Sequence, residues 1–270
     1  MKNFSALLLS VLLFASCSST DDSDKQSKEQ IKKTANLQGS GDSANDILSN
    51  NTFSKLSLEI AYVKGFKPAD ETLINFTDFI KSITFKNDIA IKLVELDSPN
   101  EEDLTTEEVA KLETTNRTIY NSDDTLAIYI YFADAPSNND DEDTNSVTLG
   151  AVYRNTSMVI YEATIKELAN KSALISETSV ETSTLNHELG HLMGLVNLGT
   201  EMIHPHEGEA TNDDGDTIGS NHCNVDNCLM NAELEFGSGM KKMLIASKNG
   251  IPELDAECLA DLKANGGRQF

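Results

Sequence analysis

Several things are scarce in this chain of 270 residues, and each scarcity excludes something. Basic residues are few: 21 Lys and Arg stand against 44 Asp and Glu, for a formal net charge of -23. A surface this acidic argues against nucleic acid and against an anionic membrane as charge-driven partners. Long apolar runs are missing beyond the N-terminus. The one near the start, Phe4–Phe14, is too short to span a bilayer as a helix. Histidine is rarer still, at five, and cysteine numbers four. No internal repeat is present, and the only cysteine before residue 187 is Cys17, so no pro-segment thiol is available to block a metal. Asn212-Asp213-Asp214-Gly215-Asp216 lacks the ordered twelve-residue pattern of a calcium loop and reads as a solvated turn.

What remains is concentrated. Two of the five histidines fall in His187-Glu188-Leu189-Gly190-His191, with Gly194 three residues on. Residues four apart on an α-helix share a face, one turn apart. Both imidazoles can therefore reach one metal ion, and Glu188 can reach a water on that ion. Zinc favours nitrogen donors in a tetrahedral site, and a catalytic zinc keeps one position for water. A carboxylate beside it can take the proton as the water attacks a polarised carbonyl.

The chain divides by composition. Lys2, the apolar stretch Phe4–Phe14 and the small residues Ala15-Ser16 form a signal peptide, 1–16. Phe14-Ala15-Ser16-Cys17 resembles a bacterial lipoprotein signal, which implies lipidation of Cys17, with plain secretion as the alternative. The acidic Ser18–Asp24 run resembles the export signal of surface lipoproteins in Bacteroidetes-type bacteria, implying a cell-envelope, outer-membrane and surface-exposed location. Residues 17–52 are rich in Ser, Asp, Lys and Asn and are expected to be a disordered tether.

Residues 53–270 read as one domain of α/β (α+β) class. Alternation marks strands at Leu56–Val63 and Ile89–Leu96, and Leu126–Phe132 is an apolar run suited to a central strand. Helical spacing marks 69–83 behind Pro68. A Thr105-x-x-Glu108 capping pattern opens a helix to Tyr120. Two shorter strands are expected near Val147–Tyr153 and Met158–Tyr161. The motif helix is expected from Glu177 to Gly194, with Ser176 as its cap. Gly237-Ser238-Gly239 reads as a loop and Pro252–Ala264 as a closing helix.

This order, with His-Glu-x-x-His followed by a breaking glycine, resembles the metzincin clan of zinc peptidases. The resemblance implies a mixed, mostly parallel five-stranded sheet, two long helices and a smaller irregular C-terminal subdomain. Thr148–Tyr153 resembles the clan's edge strand, implying that Leu149, Gly150 and Ala151 pair with an extended peptide substrate. One position departs: where a third histidine is usual, this chain has Asn197, and an amide oxygen is a poor zinc donor. His222-Cys223-x4-Cys228-x-Met230 is similar to the archaemetzincin branch, displaced by 25 residues, from 197 to 222. On that reading 198–221 is an inserted polar loop dividing an upper part, 53–197, from a C-terminal subdomain, 222–270. His222 is then the third ligand and Met230 the residue of the Met-turn, with Cys223 and Cys228 able to pair as a disulfide. His206, and less so His204, compete with His222. Archaemetzincins carry further cysteines for a second, structural zinc; only Cys258 stands in that region here, so that second site is not expected and Cys258 is expected to be a free buried thiol. The resemblance thus implies one catalytic Zn2+, peptide or protein substrates, a membrane link through lipid alone and a monomer. The alternative is a surface-binding lipoprotein whose zinc site is structural or degenerate.

Overall fold

The computed structural model describes residues 33–140, 147–171, 173–212, 214–235, 237–247 and 250–268. The expected signal peptide, Cys17, the first part of the tether and residues 141–145 of the acidic loop lie outside the described residues.

The upper part contains α1 (Ala44–Leu48), β1 (Lys55–Val63), α2 (Asp70–Ile83), β2 (Asp88–Leu96), α3 (Thr106–Asn116), β3 (Thr125–Phe132), β4 (Gly150–Arg154), β5 (Ser157–Ile160), α4 (Glu162–Asn170) and α5 (Glu177–Leu192). The lower part contains β6 (Glu207–Thr211), β7 (Thr217–Cys223), a 3-10 turn at Ala232–Glu235, α6 (Gly237–Ala246) and α7 (Ala256–Ala264). The five-stranded sheet runs β2-β1-β3-β5-β4, with only β4 antiparallel to its neighbour. The fold is therefore the mixed α/β arrangement expected, with a mostly parallel sheet.

Helices on both faces explain the strand chemistry. β1 and β3 are central and parallel, with both faces covered: β3 is an almost unbroken apolar run, and β1, though its sequence alternates, is buried on both faces from Leu56 to Ala61. Leu56, Leu58, Ile60, Leu126, Ile128 and Ile130 face the main core with Phe76 and Ile80 of α2 and Leu185 and Leu189 of α5. The other face, with Tyr129, Tyr131 and Val159, packs on Val109 of α3. Glu59 is the exception inside β1. Its carboxylate accepts from the amides of Thr118 and Ile119 at 2.9 and 2.7 Å, which offsets the cost of burying it.

The segment expected to be a tether packs instead from about residue 35. Ile47 and Leu48 are fully buried in the main core. Asn36 donates to the Ala127 carbonyl at 3.1 Å and to Asn121 Oδ1 at 2.8 Å. The Lys86 ammonium, buried and pushed down to about 8 by desolvation, donates to the carbonyls of Ser49 and Phe53. Polar composition concealed this, because amides and two aliphatic side chains hold the segment.

Three further differences are local. The Thr105-capped helix has the full capping box but ends at Asn116. The α4 helix follows Tyr161, which provides no side-chain cap to announce it. Gly237–Gly239 belongs to α6 and not to a loop. Among the described residues no helix is long and apolar enough to cross a membrane.

Candidate metal centre

The α5 helix is the axis of the site. The Ser176 hydroxyl caps it by accepting from the Ser179 amide at 3.1 Å. From Val180 to Leu192 it is buried all round. It therefore runs through the domain, and its two imidazoles are fixed by packing on every side. The helix stops at Gly194 with φ 75°. A Cβ there would lie 2.6 Å from the Thr200 amide nitrogen, so both the left-handed turn and the space require glycine.

Beyond Gly194 the chain does not bring residue 197 back to the helix. Asn197 is itself left-handed, and its side-chain amide donates to Glu207 Oε2 at 3.3 Å. The third imidazole is His222, at the end of β7. The ligand atoms of His187, His191 and His222 lie within 4.8 Å of one another. Their ring centroids are 4.8, 5.3 and 5.0 Å apart in pairs. His204 sits at the surface with Glu257 at 2.8 Å, and His206 is buried elsewhere, so neither joins this group.

The donor chemistry fits a zinc ion. The His187 Nδ1 is 2.6 Å from the Leu229 carbonyl, and the His222 Nδ1 is 2.7 Å from the Ser220 carbonyl. Carbonyls only accept, so each Nδ1 carries its proton and each Nε2 presents a lone pair. The Nε2 atoms of His187 and His191 stand 3.1 Å apart. Two nitrogens about 2.0–2.1 Å from a tetrahedral zinc stand about 3.3–3.4 Å apart.

Met230 lies directly beneath. A Cβ on Gly190, in the last turn of α5, would be 2.2 Å from Met230 Sδ, so the sulfur occupies the space a side chain would take. Above, β4 passes so close to Glu188 that a Cβ on Gly150 would fall 2.7 Å from Glu188 Oε1. The Glu188 carboxylate is buried between α5 and the sheet edge. Leu149 is a core residue just ahead of β4, with its carbonyl accepting from the Tyr161 amide at 2.9 Å, and Ala151 packs on the opposite face.

A second cluster stands next in the chain. The ligand atoms of Cys223, Cys228, Asp255 and Cys258 also lie within 4.8 Å of one another. The expected Cys223–Cys228 disulfide is not formed; all three cysteines are free and buried. The Cys223 thiol donates to Asp255 Oδ2 at 2.9 Å, while Cys228 Sγ faces Cys258 Sγ at 3.7 Å. Thiol contacts from Cys223 and Cys258 draw Cys228 down toward the thiolate, while Cys258 is pushed up by its contacts with Cys223 and Cys228. Cys258 is free and buried, as expected, and it is one of three thiols that meet a carboxylate. Sulfurs about 2.3 Å from a tetrahedral zinc are about 3.8 Å apart, which suits the 3.7 Å separation.

A third group, Glu162, Glu177 and Glu181, joins α4 to α5. The Lys166 ammonium already sits among them, 3.1 Å from Glu162 Oε1 and 2.5 Å from Glu177 Oε1, so this reads as a helix-docking network. Burial first, and the Glu181 carboxyl second, push Glu162 up to about 9.

No protein-family model matches the chain, and no curated protein matches it in sequence.

Proposed function

We propose that the protein is a zinc-dependent peptidase of the cell envelope, tethered by lipid at Cys17 and acting as a monomer on peptide or protein substrates. The observation that carries this reading is the convergence of three imidazoles from α5 and β7 on one point, with Glu188 buried under the open edge of the sheet. His187, His191 and His222 would hold the zinc. The bound ion would supply Lewis acidity, polarising a carbonyl and lowering the pKa of a water to about 7.

The chain's own residues supply the rest. Glu188 follows His187 and precedes His191 near the end of the same helix, and it is walled by Gly150 and Thr184. Its carboxylate takes the proton from the attacking water and returns it to the departing amine. Among the described residues β4 is the outermost strand, so its outer edge can pair with an extended peptide, and Gly150 and Ala151 lie on that edge. Leu229 fixes the His187 tautomer, and Met230 fills the space below the helix. The Cys223, Cys228, Asp255 and Cys258 cluster would hold a second, structural zinc, for which thiolates are suitable donors.

The test is metal content and peptide hydrolysis of the mature chain beside His222→Ala, His206→Ala and Asn197→Ala. Loss of hydrolysis and of one equivalent of zinc in His222→Ala, with both retained in Asn197→Ala, supports the ligand set. Retention of full zinc in His222→Ala would overturn it.

A further inference from the structure

The inserted segment does not hang free. Its first part is tied to α7: the Ile203 amide donates to Asp261 Oδ1 at 2.8 Å. His206 is then buried, with Nδ1 2.9 Å from the His204 carbonyl. Its Nε2 lies 3.6 Å from Cys258 Sγ and 3.5 Å from Asp261 Oδ2. The chain runs out along β6, closes with the Asn212 amide donating to the Asp216 carbonyl at 3.0 Å, and returns along β7, where Cys223 pairs with Glu207. Both ends of the hairpin therefore land on the thiol cluster.

The return strand ends in His222-Cys223. One residue belongs to the imidazole group and the next to the thiol group. A single peptide link joins the two clusters. Most of β7 is exposed, and a two-stranded ribbon is marginal by itself. Several contacts hold the His222 end. The Cys223 amide donates to the Met230 carbonyl at 2.7 Å, and the Asn224 amide donates to the His206 carbonyl at 2.8 Å. The Asn231 side-chain amide donates to the Cys223 carbonyl at 3.1 Å. The Cys223 thiol adds a bond to Asp255, a weak donor on a strong acceptor.

Asp255 is aimed for more than that contact. Its Oδ1 accepts from the amides of Glu257 and Cys258 at 2.8 and 2.9 Å, capping α7. This locks the carboxylate and directs Oδ2 into the thiols. A metal bonded to Cys223, Cys228, Cys258 and Asp255 would replace the thiol contact and release the thiol protons to solvent. It would join β7, the turn before Met230 and the start of α7 at one point.

We infer that this centre loads first and presents His222 to the other: it is a latch on the inserted hairpin, with Asp255 as its fourth ligand and His206 and Asp261 as positioning residues behind Cys258. The inference rests on the metal reading above and adds an order and a coupling to it. Soft thiolates outbid imidazoles for the same borderline ion, which sets the order. The shared peptide link sets the coupling.

The experiment is a Co2+ titration of the metal-free mature chain, read by absorption. Thiolate-to-cobalt charge transfer in the near ultraviolet reports the thiol centre, and the remaining visible d–d intensity reports the imidazole centre. The first equivalent is expected to raise the charge-transfer band and the second to add visible intensity alone. Cys258→Ser is expected to lose the band and to weaken the imidazole centre by at least about tenfold. Because Cys258→Ser can fail to fold, His206→Ala is the second variant. It is expected to keep the band and still weaken the imidazole centre severalfold. An imidazole centre that fills first, or that keeps its affinity in His206→Ala, would overturn the latch. Absence of the band at any cobalt concentration would overturn the second centre. His222→Ala separates this from failure of the first reading: it is expected to keep the band and lose the second equivalent. If it keeps both, the imidazole ligand set is wrong whatever the loading order.

Discussion

Gly150→Ala tests how the general base is seated. Gly150 lies in a regular strand, pairs with Ile160 across β4 and β5 and has no left-handed φ, so alanine fits its backbone without strain. The effect is one of space. The added Cβ would stand 2.7 Å from Glu188 Oε1, 2.8 Å from its Cγ and 2.9 Å from Thr184 Cγ2. Heavy atoms in ordinary contact are about 3.5–4.0 Å apart, so something must withdraw by about 1 Å. The strand is held by its ladder and Thr184 by the helix, which leaves the Glu188 side chain to move. Overpacking of this kind costs about 1–3 kcal/mol of stability. A misplacement of about 1 Å at a reacting group costs about 10²-fold in rate. The assay compares kcat/KM on a quenched-fluorescence peptide, zinc content and melting temperature of the variant and the wild type. A loss of about two orders of magnitude in kcat/KM, with zinc retained, is expected. Near-wild-type kcat/KM in a variant of unchanged zinc content would refute the seating of Glu188 against β4.

Other perturbations follow from the same contacts. Gly190→Ala places a methyl 2.2 Å from Met230 Sδ, so it is expected to lower the melting temperature and weaken zinc retention, measured by scanning calorimetry and chelator competition. Glu162→Gln addresses the carboxyl raised to about 9 from an ordinary 4.5. Between those values the unfolded chain releases the proton and the folded chain keeps it, so stability falls as pH rises through the window, by up to roughly 3 kcal/mol at pH 7. The variant should gain stability at pH 7–9 and gain nothing near pH 4; equal effects in urea unfolding at both pH values would refute this. Ile47→Ala is expected to cost about 2–5 kcal/mol in urea unfolding, because Ile47 is a core residue despite its polar surroundings; a tether would show no cost.

The parts of the molecule that sequence made legible are those in which one local pattern decides. Periodicity placed β1, β2, β3 and α2, and Thr105 and Ser176 announced their helices through their caps. His187 and His191 are four apart on a helix, so their meeting needs no tertiary knowledge. His222 was reachable only through the likeness of the His-Cys-x4-Cys-x-Met run, because β7 brings it across the fold. Asp255, and the place of His206 beside Cys258 rather than on the imidazole site, lay out of reach. Asp255 looks like a helix cap and also is one, and His206 sits in a segment whose composition reads as loop. The β6–β7 pairing escaped because Glu207–Thr211 and Thr217–Cys223 have little apolar alternation. The packed segment from residue 35 escaped because buried amide bonds leave no mark in hydropathy.

The most direct measurement pairs zinc content with peptide hydrolysis in wild type and Glu188→Gln, from preparations made side by side. Glutamine keeps the shape of the side chain and removes the base. The expected result is equal zinc in both proteins and hydrolysis lower by at least about 10²-fold in the variant. Hydrolysis unchanged in Glu188→Gln, or a fully zinc-loaded wild type that cleaves no peptide, would contradict the assignment of this site as a peptidase centre.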